Sequence, residues 1–368
     1  MNHIKKASGS RLIIFLTCFF FVFFLTLSNF RSLEYRLINS VVKQMASKVP
    51  IIFVHVGDDP DFFPDYLYSS VRQAAVWNPL SDLHIVMPRA HSNRSCILNL
   101  LRDCGQSLKI WFIDDVPLTP IHSRFIKETS HTKVGFRGGF WRFSTERLFA
   151  LLDSLVMLGF NEAIHLENDN LLYARIDLIL PTLRQKYPGL AVEPHGTHAT
   201  AGFLYVQRVD ALLNLLTFMV NHPTENEMQS LGVFLDKMGS SVIGYLPVIA
   251  PNDCIGEGTD KFIANFNFFN GLFDGAPHGQ YIGGADPRNG VGGPGFVNPE
   301  APFRVNDFEY EWQVDPQTKL RRFYQRRLFF HSKNNACNAS LNSPHIWHPL
   351  FHLHVHCKEL QKFVSFAL

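Results

Sequence analysis

Glu162-Ala163-Ile164-His165-Leu166-Glu167-Asn168-Asp169-Asn170 sets a short apolar run directly before a doubly acidic turn. A run of this length with polar boundaries is a buried strand, and the change at Glu167 marks its carboxyl end. Two earlier stretches have the same form. Ile51-Ile52-Phe53-Val54-His55-Val56 ends in Gly57-Asp58-Asp59, and residues 108–113 end in Asp114-Asp115. Continuous rather than alternating hydrophobicity belongs to strands covered on both faces. Between these strands the spacing predicts helices over 65–77 and 95–104 with a strand at 83–87, and a long amphipathic helix over 142–158. In that last helix Leu148, Leu151, Leu152, Leu155 and Leu158 form one stripe. Alternating β-α-β-α-β order predicts an α/β fold: a mainly parallel sheet with helices on both faces. Further helices are expected at 176–186, 209–220 and 225–238, and strands near 190–192, 202–206 and 241–247. The glycine-rich stretch 271–295 is expected to be a long, turn-rich excursion over the sheet.

A chain of 368 residues with 46% hydrophobic content can bury a large core, and a formal charge of +2 without a basic run in the body gives no footprint for nucleic acid. One segment departs from this soluble texture. Residues 12–30, beginning Leu12-Ile13-Ile14-Phe15-Leu16, are uncharged and long enough for a short membrane span. No small-x-small cleavage site follows, so a retained anchor is preferred to a cleaved signal peptide. Lys5, Lys6 and Arg11 in the head orient it with the bulk of the chain lumenal. The expected organisation is a cytoplasmic tail (1–11), a transmembrane helix (12–30), a stem (31–48) and one catalytic domain (49–368), in a single-pass type II protein. A short Phe-rich span suits the thin membranes of the endoplasmic reticulum or Golgi. The sequons at Asn93 and Asn338 suit a lumenal domain. Among the body's five cysteines, Cys96 with Cys104 and Cys337 with Cys357 are local disulfide pairings to test, beside the alternative of reduced thiols.

Glu167 and Asp169, one residue apart beyond the last paired residue of their strand, can share a hard cation and leave room for a diphosphate. Late in the chain, His352, His354 and His356 recur at period two, with Lys358 two residues further. Imidazoles and carboxylates together suit Mn or Mg, while three histidines on one strand could also take zinc. Asp274, on a glycine-flanked loop, is a candidate base or acceptor-binding group, with Glu225 or Glu227 as the rival at the start of a helix.

Glu167-Asn168-Asp169 resembles the D-x-D signature of GT-A glycosyltransferases, with Glu167 in place of the first Asp. The resemblance covers roughly residues 50–358. It implies a metal-dependent transferase that moves a sugar from a nucleotide-sugar to a glycan, glycoprotein or glycolipid acceptor. It further implies donor contacts from Glu167, Asn168, Asp169, Arg142, Arg147 and Lys358, and a metal held by Asp169 and Glu167 with His354 or His356. The readings kept beside it are a non-catalytic glycan-binding or structural membrane protein with a transferase-like fold, and a metal-dependent hydrolase.

Overall fold

The computed structural model describes residues 48–57, 59, 63–129, 139–223, 226–251, 260–289, 292–301, 303–328 and 346–366. The expected tail, membrane span and most of the stem lie outside these residues, as do Glu225, Cys254, Cys337 and Asn338. Among the described residues no helix is long and apolar enough to cross a membrane.

Residues Val49–Leu368 form one compact unit. The strands are β1 (Ile51–Val54), β2 (Leu83–Met87), β3 (Leu108–Phe112), β4 (Ala163–Leu166), β5 (Asn170–Leu172), β6 (Leu190–His195), β7 (His198–Val206), β8 (Ile243–Tyr245), β9 (Phe308–Val314), β10 (Arg321–Arg327), β11 (His348–Pro349) and β12 (His352–His354). The helices are α1 (Leu67–Trp77), α2 (Ser95–Cys104), α3 (Pro120–Thr129), α4 (Phe140–Leu158), α5 (Ile176–Lys186), α6 (Val209–Asn221), α7 (Glu227–Met238), α8 (Phe266–Phe269) and α9 (Pro277–Gly283). Seven strands make the central sheet in the order β3-β2-β1-β4-β7-β6-β8. β1 to β4 run parallel, β7 is antiparallel to both β4 and β6, and β8 is parallel to β6.

The pleat explains why β1 is apolar throughout. Ile51 and Phe53 pack with Leu67 and Val71 of α1 and Ile97 of α2, whereas Ile52 and Val54 pack with Leu148 and Leu152 of α4 and Leu215 of α6. Successive side chains thus enter two different cores, the mark of a strand covered on both faces. α4 closes at Gly159, whose φ of 69° is the left-handed cap that glycine adopts without strain.

Three parts differ from the sequence reading. α3 was not anticipated, because its apolar positions are few and two of its inward residues, His122 and Phe125, are not both hydrophobic. The β9–β10 hairpin was not anticipated either: Arg321, Arg322, Arg326 and Arg327 mask its alternation, although Phe323 and Tyr324 are buried. The stretch 271–295 is turn-rich as expected, but Leu272 through Gly279 are buried and the short helix α9 forms within it. Cys96 and Cys104 are free thiols. They sit at opposite ends of α2, where a rise of roughly 1.5 Å per residue puts them about 12 Å apart, beyond disulfide reach.

Candidate active site

The carboxyl ends of β1 and β4 open into a cleft of about 1190 Å³. Its walls come from His55 and Gly57 after β1, Glu167, Asn168 and Asp169 after β4, the first turns of α4 and α7, and His354, His356 and Lys358. An open edge of this kind is where α/β sheets bind ligands.

Main-chain bonds fix the acidic turn. Glu167 N–H donates to Gly202 O (3.0 Å) and Asn170 N–H to Glu167 O (3.1 Å), while Val355 N–H donates to Asp169 O (2.9 Å). The last bond joins the turn to β12, which pairs antiparallel with β5 from His352 opposite Leu172 to His354 opposite Asn170. Residues about 185 positions apart are thereby brought side by side. Gly202 permits this approach: a Cβ there would lie 3.3 Å from His354 Nδ1 and 3.3 Å from Asn170 Nδ2.

His354 Nε2 lies 3.1 Å from Glu167 Oε2 and 3.2 Å from Asp169 Oδ1. Among the described residues this is the one set of three His, Cys, Asp or Glu ligand atoms that fall within 4.8 Å of one another. Burial works against charge on all three, yet opposite charges prevail. Asp169 and Glu167 raise His354 to about 10. Arg147, then His354, holds the Glu167 carboxyl well below the usual range, and Lys358, then His354, does the same for Asp169. Arg147 Nη2 donates to Glu167 Oε1 and Lys358 Nζ to Asp169 Oδ2. Asn168 points back toward the sheet, its Nδ2 donating to Val54 O at 3.3 Å.

The other sequence candidates separate. His356 lines the cleft, but its ring stacks on His354 with centroids 4.1 Å apart instead of joining the three donors. β12 ends at His354, so the period-two alternation expected to run through His356 stops two residues before it. His352 is fully buried behind the cluster, between Asn170 Oδ1 (2.7 Å) and Glu193 (2.7 Å). Three histidines therefore share no common point, and the zinc alternative has no geometry here.

Asp274, the other catalytic candidate, is not among the cleft-lining residues. It is fully buried and accepts from the backbone N–H of His278 (3.1 Å), Gly279 (2.8 Å) and His354 (2.9 Å), so it caps α9 and ties it to β12. Arg142 lies along α4 with Nε 3.4 Å from Glu146 and is not among the cleft-lining residues. Glu227 does line the cleft, at the start of α7, where Ser144 Oγ donates to its Oε2 at 2.6 Å. Burial raises its pKa against the pull of Arg147. Sequence reasoning missed His195, Gln280 and Glu300, which also line the cleft. They come from three separate segments, and none stands in a pattern that marks it.

No family model matches this chain, and no curated protein matches it. Solved structures resemble it in part. Mouse xyloside xylosyltransferase 1 aligns with 10% identity over 54% of this chain and 85% of its own, at a TM-score of 0.39. The PaToxG glycosyltransferase aligns with 11% identity over 52% and 68%, at 0.33. The glycosyltransferase GlyE of Streptococcus pneumoniae aligns with 16% identity over 53% and 44%, at 0.33. Likenesses this slight identify no family.

Proposed function

We propose that this chain is a glycosyltransferase that uses a nucleotide-sugar donor and a divalent metal, anchored in an endoplasmic reticulum or Golgi membrane with residues 49–368 lumenal. The observation that carries the reading is the meeting of Glu167, Asp169 and His354 at the carboxyl edge of β4, beside Lys358, in a cleft of about 1190 Å³. The volume suits a nucleotide-sugar, because ligand pockets of ~300–1,000 Å³ hold molecules of drug size.

The donor set fits Mn or Mg: two hard carboxylates and one imidazole, from three residues that line the cleft. His354 presents Nε2 to both carboxylates, at 3.1 Å from Glu167 Oε2 and 3.2 Å from Asp169 Oδ1, so one imidazole nitrogen and two carboxylate oxygens converge on one point. Glu167, Asp169 and His354 would hold the ion. When bound, it supplies positive charge to the departing diphosphate. Lys358, paired with Asp169 Oδ2 on the cleft wall, would neutralise phosphate oxygens as they gain charge. Arg147 keeps Glu167 ionised and aimed at the cluster. Glu227, held by Ser144 on the cleft wall, is the carboxylate placed to bind an acceptor hydroxyl or receive its proton.

A second reading has its own support. Arg147 and Lys358 already neutralise the two carboxylates, and a protonated His354 adds a third positive charge, so the cluster can attract a diphosphate without an ion. One assay separates the readings: the full chain in detergent, incubated with a panel of nucleotide-sugars and released nucleotide measured, with Mn²⁺ or with EDTA. Release that needs Mn²⁺ supports the metal-dependent transferase, and release unaffected by EDTA supports the second reading. No release from any donor under either condition sinks both.

A further inference from the structure

The part of the cleft wall formed by the β6–β7 turn and the turn at 298–300 is built as a unit. His195 ends β6 and donates from Nδ1 to Gly275 O at 2.9 Å, which fixes the tautomer and leaves Nε2 as a lone pair. That Nε2 has one charged neighbour, the Glu300 carboxylate at 3.7 Å, too far for a hydrogen bond. Burial keeps the imidazole neutral by lowering its pKa. Two acceptors with no proton between them thus stand side by side at the cleft.

Their placement is not incidental. Gly196 follows His195 at φ 53°, and a Cβ there would meet Glu300 O at 2.8 Å, so the two turns are in contact only because this residue is glycine. Lys261 Nζ donates to Gly196 O at 2.6 Å and holds the first turn. Buried Asn298 holds the second: its Oδ1 accepts from Glu300 N–H at 2.8 Å, and its Nδ2 donates to Gln280 Oε1 at 2.8 Å. With its oxygen engaged, Gln280 offers the cleft its amide N–H.

We propose that His195, Glu300 and Gln280 form a subsite for an uncharged polyhydroxylated acceptor. His195 Nε2 and the Glu300 carboxylate accept hydrogen bonds from neighbouring hydroxyls, and Gln280 donates to a ring or hydroxyl oxygen. Neighbouring hydroxyls of a sugar present two donors about as far apart as these two acceptors can reach. A uronic acid or phosphorylated sugar is disfavoured at this pair, because the carboxylate facing His195 Nε2 is that of Glu300 and its charge is negative. The inference rests on the transferase reading, since it names the acceptor side of the same cleft.

Binding of methyl glycosides to the full chain in detergent tests it, by saturation-transfer NMR with a neutral panel and with methyl glucuronide. UDP and GDP with Mn²⁺ serve as donor-side probes on the same samples. The wild type should bind neutral glycosides and reject the glucuronide. His195→Ala and Glu300→Gln should each weaken neutral binding roughly tenfold, the loss of one or two hydrogen bonds, and leave nucleotide binding unchanged. Glu300→Gln should also admit the glucuronide. Nucleotide binding that survives while both variants bind glycosides like the wild type overturns the subsite and spares the transferase reading. Tighter binding of the glucuronide than of neutral glycosides by the wild type overturns it as well, whereas absence of both nucleotide and glycoside binding removes the transferase reading with it.

Discussion

Asp169 and Asp274 are both carboxylates on turns near β12, yet one lines the cleft and the other is buried on backbone N–H groups, and two substitutions separate them. Asp169 faces the cleft with its oxygens on Lys358 and His354. Asp169→Asn should lower nucleotide-sugar turnover a hundredfold or more, the loss of about 3 kcal/mol of charge stabilisation. It should also lower the melting temperature, because Lys358 is then left without its counter-charge. Turnover per folded molecule is therefore the quantity to measure. Asp274 has both oxygens committed to backbone N–H groups. Asp274→Ala should cost about 3 kcal/mol of stability by leaving those donors buried and unpaired, visible as a lower denaturation midpoint. An Asp274→Ala protein of wild-type stability with its turnover abolished would restore Asp274 to catalysis. Glu167, Asp169, His354 and Lys358 could be singled out in the sequence because each stands in a local pattern, a strand end or a period-two run. Asp274 misled because flanking glycines say that a carboxylate can be approached closely, not whether water or backbone does the approaching. His195 and Glu300 owe their proximity to a contact between two turns, which no local pattern carries.

Elements whose periodicity comes from packing alone were legible: β2, α2 and α5 have the bounds expected of them, and both cores follow from the alternation in β1. Elements held by polar contacts were not. α3 is the plainest instance, since it is fastened to α4 through His122, whose Nδ1 hydrogen-bonds Asp153 and whose Nε2 lies 3.8 Å from Glu146. Burial opposes charge on His122, but these carboxylates raise its pKa to about 9. A folded-state pKa above the unfolded value of ~6.5 means that the bound proton stabilises the native state. That contribution, on the order of 2–3 kcal/mol, is complete below about pH 6.5 and is lost as pH rises toward 9. Denaturant unfolding followed from pH 6 to 9.5 should show this decline, and His122→Gln should flatten it. An equal decline in both proteins would place its origin elsewhere. The α9–β12 contact makes a second test at this scale. A Cβ at Gly279 would lie 1.9 Å from His354 O and 2.7 Å from Asp274 Oδ2, so Gly279→Ala must push α9 off the strand that carries His354. Lower stability together with weakened Mn²⁺ binding is expected, the latter measured by calorimetry at a temperature where the variant is folded.

At the scale of the whole chain, the division after Lys48 has both a compositional and a structural side. Residues 12–30 are uncharged and apolar, whereas Val49–Leu368 close on themselves, with two cores on the faces of one sheet and the cleft residues all drawn from that unit. The first strand, β1, begins at Ile51 and is paired on both sides by strands of the same unit, β2 and β4. A protein starting at residue 49 should consequently fold, melt within a few degrees of the full chain in detergent, and bind UDP or GDP with Mn²⁺ equally well. The full chain should stay with membranes through an alkaline carbonate wash, and the shortened one should not. Asn93, exposed in the turn before α2, should carry an N-glycan in the full chain, removable by endoglycosidase with a shift in electrophoretic mobility. These outcomes test different claims. Release of the full chain by carbonate would remove the anchor and leave the cleft chemistry untouched. A shortened protein that remains unfolded while the full chain is folded would instead mean that the first 48 residues support the unit Val49–Leu368, and its self-sufficiency would fail.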